Sequence, residues 1–225
     1  FSYVLYLLGK DEYKVQPIEL RKVITRWIFM TTVTSFYSNS PESTVERQLA
    51  DLRSIKSASD FVEYLNQTIK QKMNDSYFNV ELINDLTSSA ASSPVWYGYI
   101  ASINVLGTPM LFSNTPLSKY WVLGSDGMKK AIDKHHIFPK QHLADIGIPD
   151  DRDRNQMANF TYLDYNTNID ISDDAPSLYV GRYKAKLGDE GYAKACAENA
   201  LPEGFEGLDY FEFLEKRRAL MSGII

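Results

Sequence analysis

The chain has 225 residues, enough for one substantial core or two small ones. Its 44% hydrophobic and 24% charged content is that of an ordinary globular protein, and no run approaches the roughly 18 apolar residues of a membrane span. A formal net charge of −5 argues against a surface that grips nucleic acid as a whole. Residues 117–225 alone hold 14 Lys/Arg against 18 Asp/Glu, so any such contact must come from a local basic patch and a bound cation. The sequence opens on Phe1 with no signal-peptide pattern, which reads as an excised piece of a longer cytoplasmic protein. Cys196 is alone, so neither a disulfide framework nor a Cys-rich zinc knuckle is expected, only a half-buried helix cysteine.

In chain order, the apolar run of residues 1–9 ends in Gly9 and suits the tail of a helix. Pro17 fits the first turn of a longer one, in which Ile18, Leu20, Val23, Ile24, Trp27, Ile28 and Met30 recur at three- and four-residue steps and predict one apolar face. Ser38-Asn39-Ser40-Pro41 breaks it, with Ser40 and Pro41 as cap and first turn of the next helix, through Val45, Leu49 and Leu52. Ser57 or Ser59 can cap a third, with Phe61, Val62, Leu65 and Ile69 inward; Tyr77–Leu86 and Trp96–Val105 suit a fourth and a fifth. The aromatics Trp27, Phe36, Tyr37, Trp96 and Tyr97 could stack on bases, but at helical spacing they read as core. Residues 1–115 thus read as a helical bundle, with the domain boundary in the proline-bearing stretch 108–116.

Beyond it the texture becomes α+β. Tyr120-Trp121-Val122-Leu123 is strand-like and Gly124-Ser125-Asp126-Gly127 a turn without the Lys-Ser/Thr of a phosphate loop. A second extended stretch runs from Ile132 into the histidines, residues 141–148 suit a short helix or loop, and Pro149–Arg154 an exposed turn. Phe160–Leu163 reads as the partner strand; helical character returns at Tyr165 and continues over about 176–187, 189–199 and 208–222. Lys216-Arg217-Arg218 suits the end of a helix, where positive charge favours the macrodipole.

All three histidines, His135, His136 and His142, fall within eight residues, in Asp133-Lys134-His135-His136-Ile137-Phe138-Pro139-Lys140 and just beyond. Asn159, Asn166 and Asn168 follow. Phosphodiester hydrolysis needs a water deprotonated near neutral pH, which imidazole can do, and a cation to neutralise charge on the phosphorane and leaving oxygen. Adjacent strand residues point to opposite sides, so one histidine can ligate a metal while the other reaches the water. Asn168 could close the metal site, with Asn166 as the alternative, and Asn159 could hydrogen-bond across the hairpin loop and fix the histidine's pose. An amide oxygen suits magnesium; neutral imidazole suits softer ions.

The residues His135-His136-Ile137-Phe138-Pro139, Asn159-Phe160 and Asn168 resemble the motif of the HNH (His-Me finger, ββα-metal) nucleases. Over about 115–222 the chain looks more narrowly like the C-terminal nuclease domain of GmrSD-like modification-dependent restriction enzymes, through His135–Lys140, Asn159-Phe160-Thr161-Tyr162-Leu163, Asn168-Ile169-Asp170-Ile171-Ser172 and Pro176. Arg26-Trp27 and Tyr37–Glu42 resemble the helical segment before it. The resemblance implies an N-terminal helical bundle (1–115) followed by a ββα-metal nuclease core with extra C-terminal helices (116–225). It implies His136 as general base, His135 and Asn168 as ligands of one Mg²⁺ or Mn²⁺, and Asn159 as the residue that orients the base. DNA is the implied partner, together with a ParB-like NTPase domain that lies outside this sequence. Lys140, Lys134 and Arg182 are candidate phosphate contacts, although exposed cations usually mean only solvation. His142 reads as surface or supporting. The function implied is a DNA endonuclease leaving 5′-phosphate and 3′-hydroxyl ends, the cutting module of a restriction or phage-defence protein. A catalytically silent DNA- or protein-binding module and an RNase on the same scaffold are the alternatives.

Overall fold

The computed structural model describes residues 1–90, 92–120 and 132–225, with the backbone alone at Ile132 and Asp133. The chain is mostly helical with a small two-stranded sheet, an α+β architecture, and forms two compact units, residues 1–81 and 82–225. The stretch 108–116 lies inside the second unit. Among the described residues no helix is long and apolar enough to cross a membrane.

In the first unit, α1 (Ser2–Leu7) does not stop at Gly9 but continues as a wider π-turn over Leu8–Glu12. Close packing explains the glycine: a Cβ on Gly9 would lie 2.4 Å from Leu20 Cδ1 and 2.9 Å from Phe61 Cε1. The helices α2 (Pro17–Val33), α3 (Pro41–Leu52) and α4 (Ala58–Lys72) follow. Leu20, Val23, Ile24, Trp27 and Met30 of α2 meet Phe61, Val62, Leu65 and Ile69 of α4 in one core with Leu5, Val15 and Leu52. The expected stripe on α2 was too wide: Ile18 and Ile28 are 74% and 49% exposed. On α3, Leu49 is exposed and Gln48 is buried instead, accepting a 2.8 Å bond from the Tyr37 hydroxyl. Ser57 caps α4 by accepting from the Asp60 N–H. Ser40 precedes α3 in the left-handed region, with φ 54°, and makes no capping bond.

The second unit opens with α5 (Leu82–Asp85) and α6 (Pro94–Val105), whose Trp96, Tyr99, Ile100 and Ile103 are buried while Tyr97 is exposed. The segment 108–116 carries the buried Met110, Leu111 and Phe112, and the Leu111 N–H donates to the Tyr162 carbonyl. Tyr120 closes a 3-10 turn from Leu117. The strand and turn expected over 121–127 lie outside the described residues. Next come β1 (Ile132–His136), α7 (Lys140–Asp145), α8 (Asp151–Arg154), β2 (Phe160–Asp164) and α9 (Tyr165–Ile171). The stretch read as an exposed turn is therefore a single helical turn, capped by Asp150. Then α10 (Pro176–Glu198) bends at Gly188, whose φ of 72° lies outside helical geometry, so it is two helices joined at a kink, in line with the expected 176–187 and 189–199. Cys196 is buried on it, and burial pushes its thiol up to about 11, an unreactive state.

Last is α11 (Tyr210–Ile224), capped by Asp209 and packed against α6. The basic triplet is not at its end, and Arg217 is fully buried among Tyr210, Phe213, Leu214 and Met221 of the same helix. Its guanidinium donates to the carbonyls of Ala158 (2.7 Å) and Asn199 (3.3 Å). Replacing Arg217 with Ala takes the guanidinium donor from the buried Ala158 carbonyl, leaves the Asn199 carbonyl to the Tyr99 hydroxyl and opens a cavity, and should lower unfolding free energy by about 3 kcal/mol. Lys216→Ala breaks only the exposed pair with Glu212 and should change it by less than about 0.5 kcal/mol. Urea unfolding of both variants, followed by circular dichroism, checks the contrast.

Candidate functional site

The strands β1 and β2 pair antiparallel, with His135 opposite Thr161 and His136 opposite Phe160. Alternation divides the hairpin into two faces. His135 and Thr161 are buried on one. Lys134, His136, Phe160 and Tyr162 share the other, which packs on Trp96: its ring centroid is 6.2 Å from that of Phe160 and 6.1 Å from that of Tyr162. The two histidines point apart, yet both line one groove of about 510 Å³, together with Lys134, Pro139, Lys140, Asn168, Ile169, Ser172 and Asp173.

The loop after β1 is held by Asn159, which is fully buried. Its Oδ1 accepts from the Phe138 N–H at 2.9 Å, and its Nδ2 donates to the carbonyls of Phe138 and Arg154, both at 3.0 Å. One amide thereby imitates a strand partner for Phe138 and ties the turn beginning at Pro139 to the 150–159 loop. Backbone pairing continues with the Ile137 N–H donating to the Asn159 carbonyl, and the Tyr179 hydroxyl donates to the Ile137 carbonyl.

Helix α9 starts where β2 ends because Asp164 caps it, accepting from the Thr167 N–H and hydroxyl. Two residues apart on a helix means about 200° around its axis, so Asn166 and Asn168 diverge. Asn168 lies against His135, Oδ1 to Nδ1 2.8 Å. Asn166 instead lines a second groove of about 590 Å³ with Asp164, Asp170, Arg182 and Lys186. Arg182 is thus separate from the histidine groove, and it pairs with Asp174 at 2.8 Å and Asp170 at 3.6 Å.

His136 has its Nε2 3.0 Å from Asn155 Oδ1 and its ring tilted on Phe160 at 4.5 Å. Burial, reinforced by Lys140, Lys134 and Arg154 and opposed by the Asn155 bond, holds its pKa below the ordinary 6.5. Lys134 stands over the Phe160 ring at 3.6 Å, a cation–π contact, and burial lowers its pKa as well. Lys140 makes a loose pair with the exposed Asp151 at 3.5 Å. His142 is half-buried beside Phe138, off the groove.

An imidazole nitrogen and an amide oxygen 2.8 Å apart fit a small divalent ion. Nδ1 of His135 and Oδ1 of Asn168 are the pair that would hold it, in place of the hydrogen bond between them. Among the described residues no group of three or more His, Cys, Asp or Glu side chains converges on a point.

Sequence reasoning missed Asn155 and Arg217. Asn155 sits in a run of charges that reads as solvent-exposed, and only the Asp150 cap hints that a helical turn sets its position. The run Lys216-Arg217-Arg218 carries no sign that its middle residue is buried. Comparisons with family models, curated proteins and solved structures return no match.

On acidification the unfolded chain should take up a proton at His136 before the folded one does. Stability is therefore lost as pH falls from about 6.5 toward the lower folded value. A proton NMR titration of the His136 ring should give a midpoint below 6.5; a midpoint above it would contradict the burial described.

Proposed function

We propose that the chain is a metal-dependent DNA endonuclease of the HNH type, the cutting module of a restriction or defence protein. The observation that carries this reading is the convergence at one groove of His135 and Asn168, 2.8 Å apart, with His136 beside them and buried Asn159 bracing the loop between. The order β1, α7, α8, β2, α9, with the groove residues on β1 and α9 and at the loop between, supports it.

In this reading His135 Nδ1 and Asn168 Oδ1 hold one Mg²⁺ or Mn²⁺. The ion supplies charge neutralisation at the scissile phosphate. The protein's own groups do the rest. His136 is kept neutral near pH 7 by burial and by neighbouring cations, so its imidazole can take the proton of an attacking water. Asn159 holds the loop that aims it. Lys134 and Lys140 line the same groove and offer cations to the phosphates on either side of the cut. The acidic chain otherwise repels the backbone, which suits a catalytic module brought to DNA by another domain.

Supercoiled plasmid should be nicked or linearised with Mg²⁺ or Mn²⁺ and protected by EDTA. His136→Ala should lose at least about 100-fold in rate. Asn168→Ala should lose activity, while Asn166→Ala should retain it. Undiminished cleavage by His136→Ala sinks the assignment of the base. If the wild type leaves plasmid intact, calorimetric Mn²⁺ titration decides the metal assignment: uptake that His135→Ala abolishes supports it, and no uptake removes it. A parallel RNA substrate separates a DNase from an RNase.

A further inference from the structure

The 3.0 Å contact between His136 Nε2 and Asn155 Oδ1 carries more information than a distance. A neutral imidazole has one N–H and one lone pair, and the partner of one nitrogen decides which is which. If Asn155 presents its oxygen, Nε2 must carry the proton. Amide oxygen and nitrogen can be exchanged without changing shape, so what fixes the amide matters.

Asp151 does so. The other end of the Asn155 amide, Nδ2, lies 3.5 Å from Asp151 Oδ1, at the outer limit of a hydrogen bond. An ionised carboxylate only accepts, so an exchanged amide would turn its oxygen toward that charge. The carboxylate is kept ionised: Lys140 foremost, then Arg154, hold its pKa below the usual aspartate value. Arg154 Nη2 donates to it at 3.0 Å.

The backbone around Asn155 is held on both sides. The Asn155 N–H donates to the Asp151 carbonyl, closing α8. The Tyr210 hydroxyl donates to the Asp153 carbonyl, Asn159 to the Arg154 carbonyl, and Arg218 to the Gln156 side chain. The amide facing His136 is therefore built in place by contacts from α11 and the loop.

We propose that Asn155, oriented by Asp151, is a positioning residue that holds His136 as its Nε2–H tautomer and leaves Nδ1 as the lone-pair nitrogen of the site. Its catalytic consequence rests on the nuclease reading above; the tautomer itself does not. With the proton fixed on Nε2, only Nδ1 can accept a proton from water, and the Asn155 oxygen stabilises the charge that the ring then gains.

The test is a long-range proton–nitrogen correlation spectrum of the ¹⁵N-labelled chain at about pH 8, above the ordinary imidazole value, with His136 assigned by its loss in His136→Ala. Wild type should show Nε2 protonated and Nδ1 with the shift of a bare ring nitrogen. Asn155→Leu should give a mixture of tautomers, Asn155→Asp should restore the single form because it keeps an acceptor, and Asp151→Ala should give a partial mixture. Backbone amide spectra that overlay outside α8 exclude misfolding. A wild-type Nδ1–H tautomer, or an Asn155→Leu ring spectrum identical to wild type, overturns the proposal. An unaltered ring in Asp151→Ala removes the part given to Asp151. In cleavage, Asn155→Leu should lower kcat about 10- to 100-fold with KM retained, and Asn155→Asp should recover it. If the wild type cuts nothing, the nuclease reading fails while the ring spectrum still decides this proposal.

Discussion

The second unit turns on a single buried amide. Asn159 has no water to bond to, so each polar atom of its side chain must find a partner inside the protein. The partners are the backbone of Phe138 on one side and the Arg154 carbonyl on the other. A leucine there could fill the space but would leave a buried N–H and two carbonyls unmet, each a penalty of about 1–3 kcal/mol. The clamp sets how the chain leaves β1, where His135 and His136 stand, and where α8 lies, and Asn155 follows. Pro139 and the aromatic packing of Phe138 on Tyr210 and Phe213 depend on the same exit angle.

Charge is managed locally in an acidic chain. Arg182 is matched by Asp170 and Asp174, which leaves little field for a further anion. Lys134 rests on an aromatic ring and Lys140 on one exposed carboxylate at 3.5 Å. Exposed pairs of that kind contribute about 0–1 kcal/mol, so Lys140 can exchange its partner for a phosphate at little loss. The same two ammonium groups help to keep His136 neutral. In the proposed reading, one set of side chains would serve both substrate attraction and base strength.

What the sequence made legible is mostly what local chemistry writes. Pro17 in a first turn marks the start of α2, and the run Phe160–Leu163, read as a strand, lies in β2. The histidine pair, Pro139 and Asn168, picked out by their spacing, are residues that one groove brings together, with Asn159 bracing the loop behind them. What was not legible is where the chain folds back on itself. Gly9 looks like a helix stop and is instead a point of contact between packed helices. Ile18 and Ile28 fit the helical period as well as Leu20 does, but period alone does not say how wide the covered stripe is. Asn155 and Arg217 owe their roles to partners 19 and 59 residues away, so their neighbours in sequence give no hint.

Arg217 has a consequence for how the molecule opens. Its guanidinium joins α11 to the carbonyl just before Asn159 and to the end of α10. Detaching α11 would leave both carbonyls buried without that donor, while a charged group would have to leave a fully enclosed position. Opening the C-terminal helix and loosening the histidine loop are thus one event, not two separate frayings. The final fifteen-residue helix, far along the chain from the histidines, belongs to the same cooperative unit, and the lifetime of the assembled groove is the lifetime of that helix's docking.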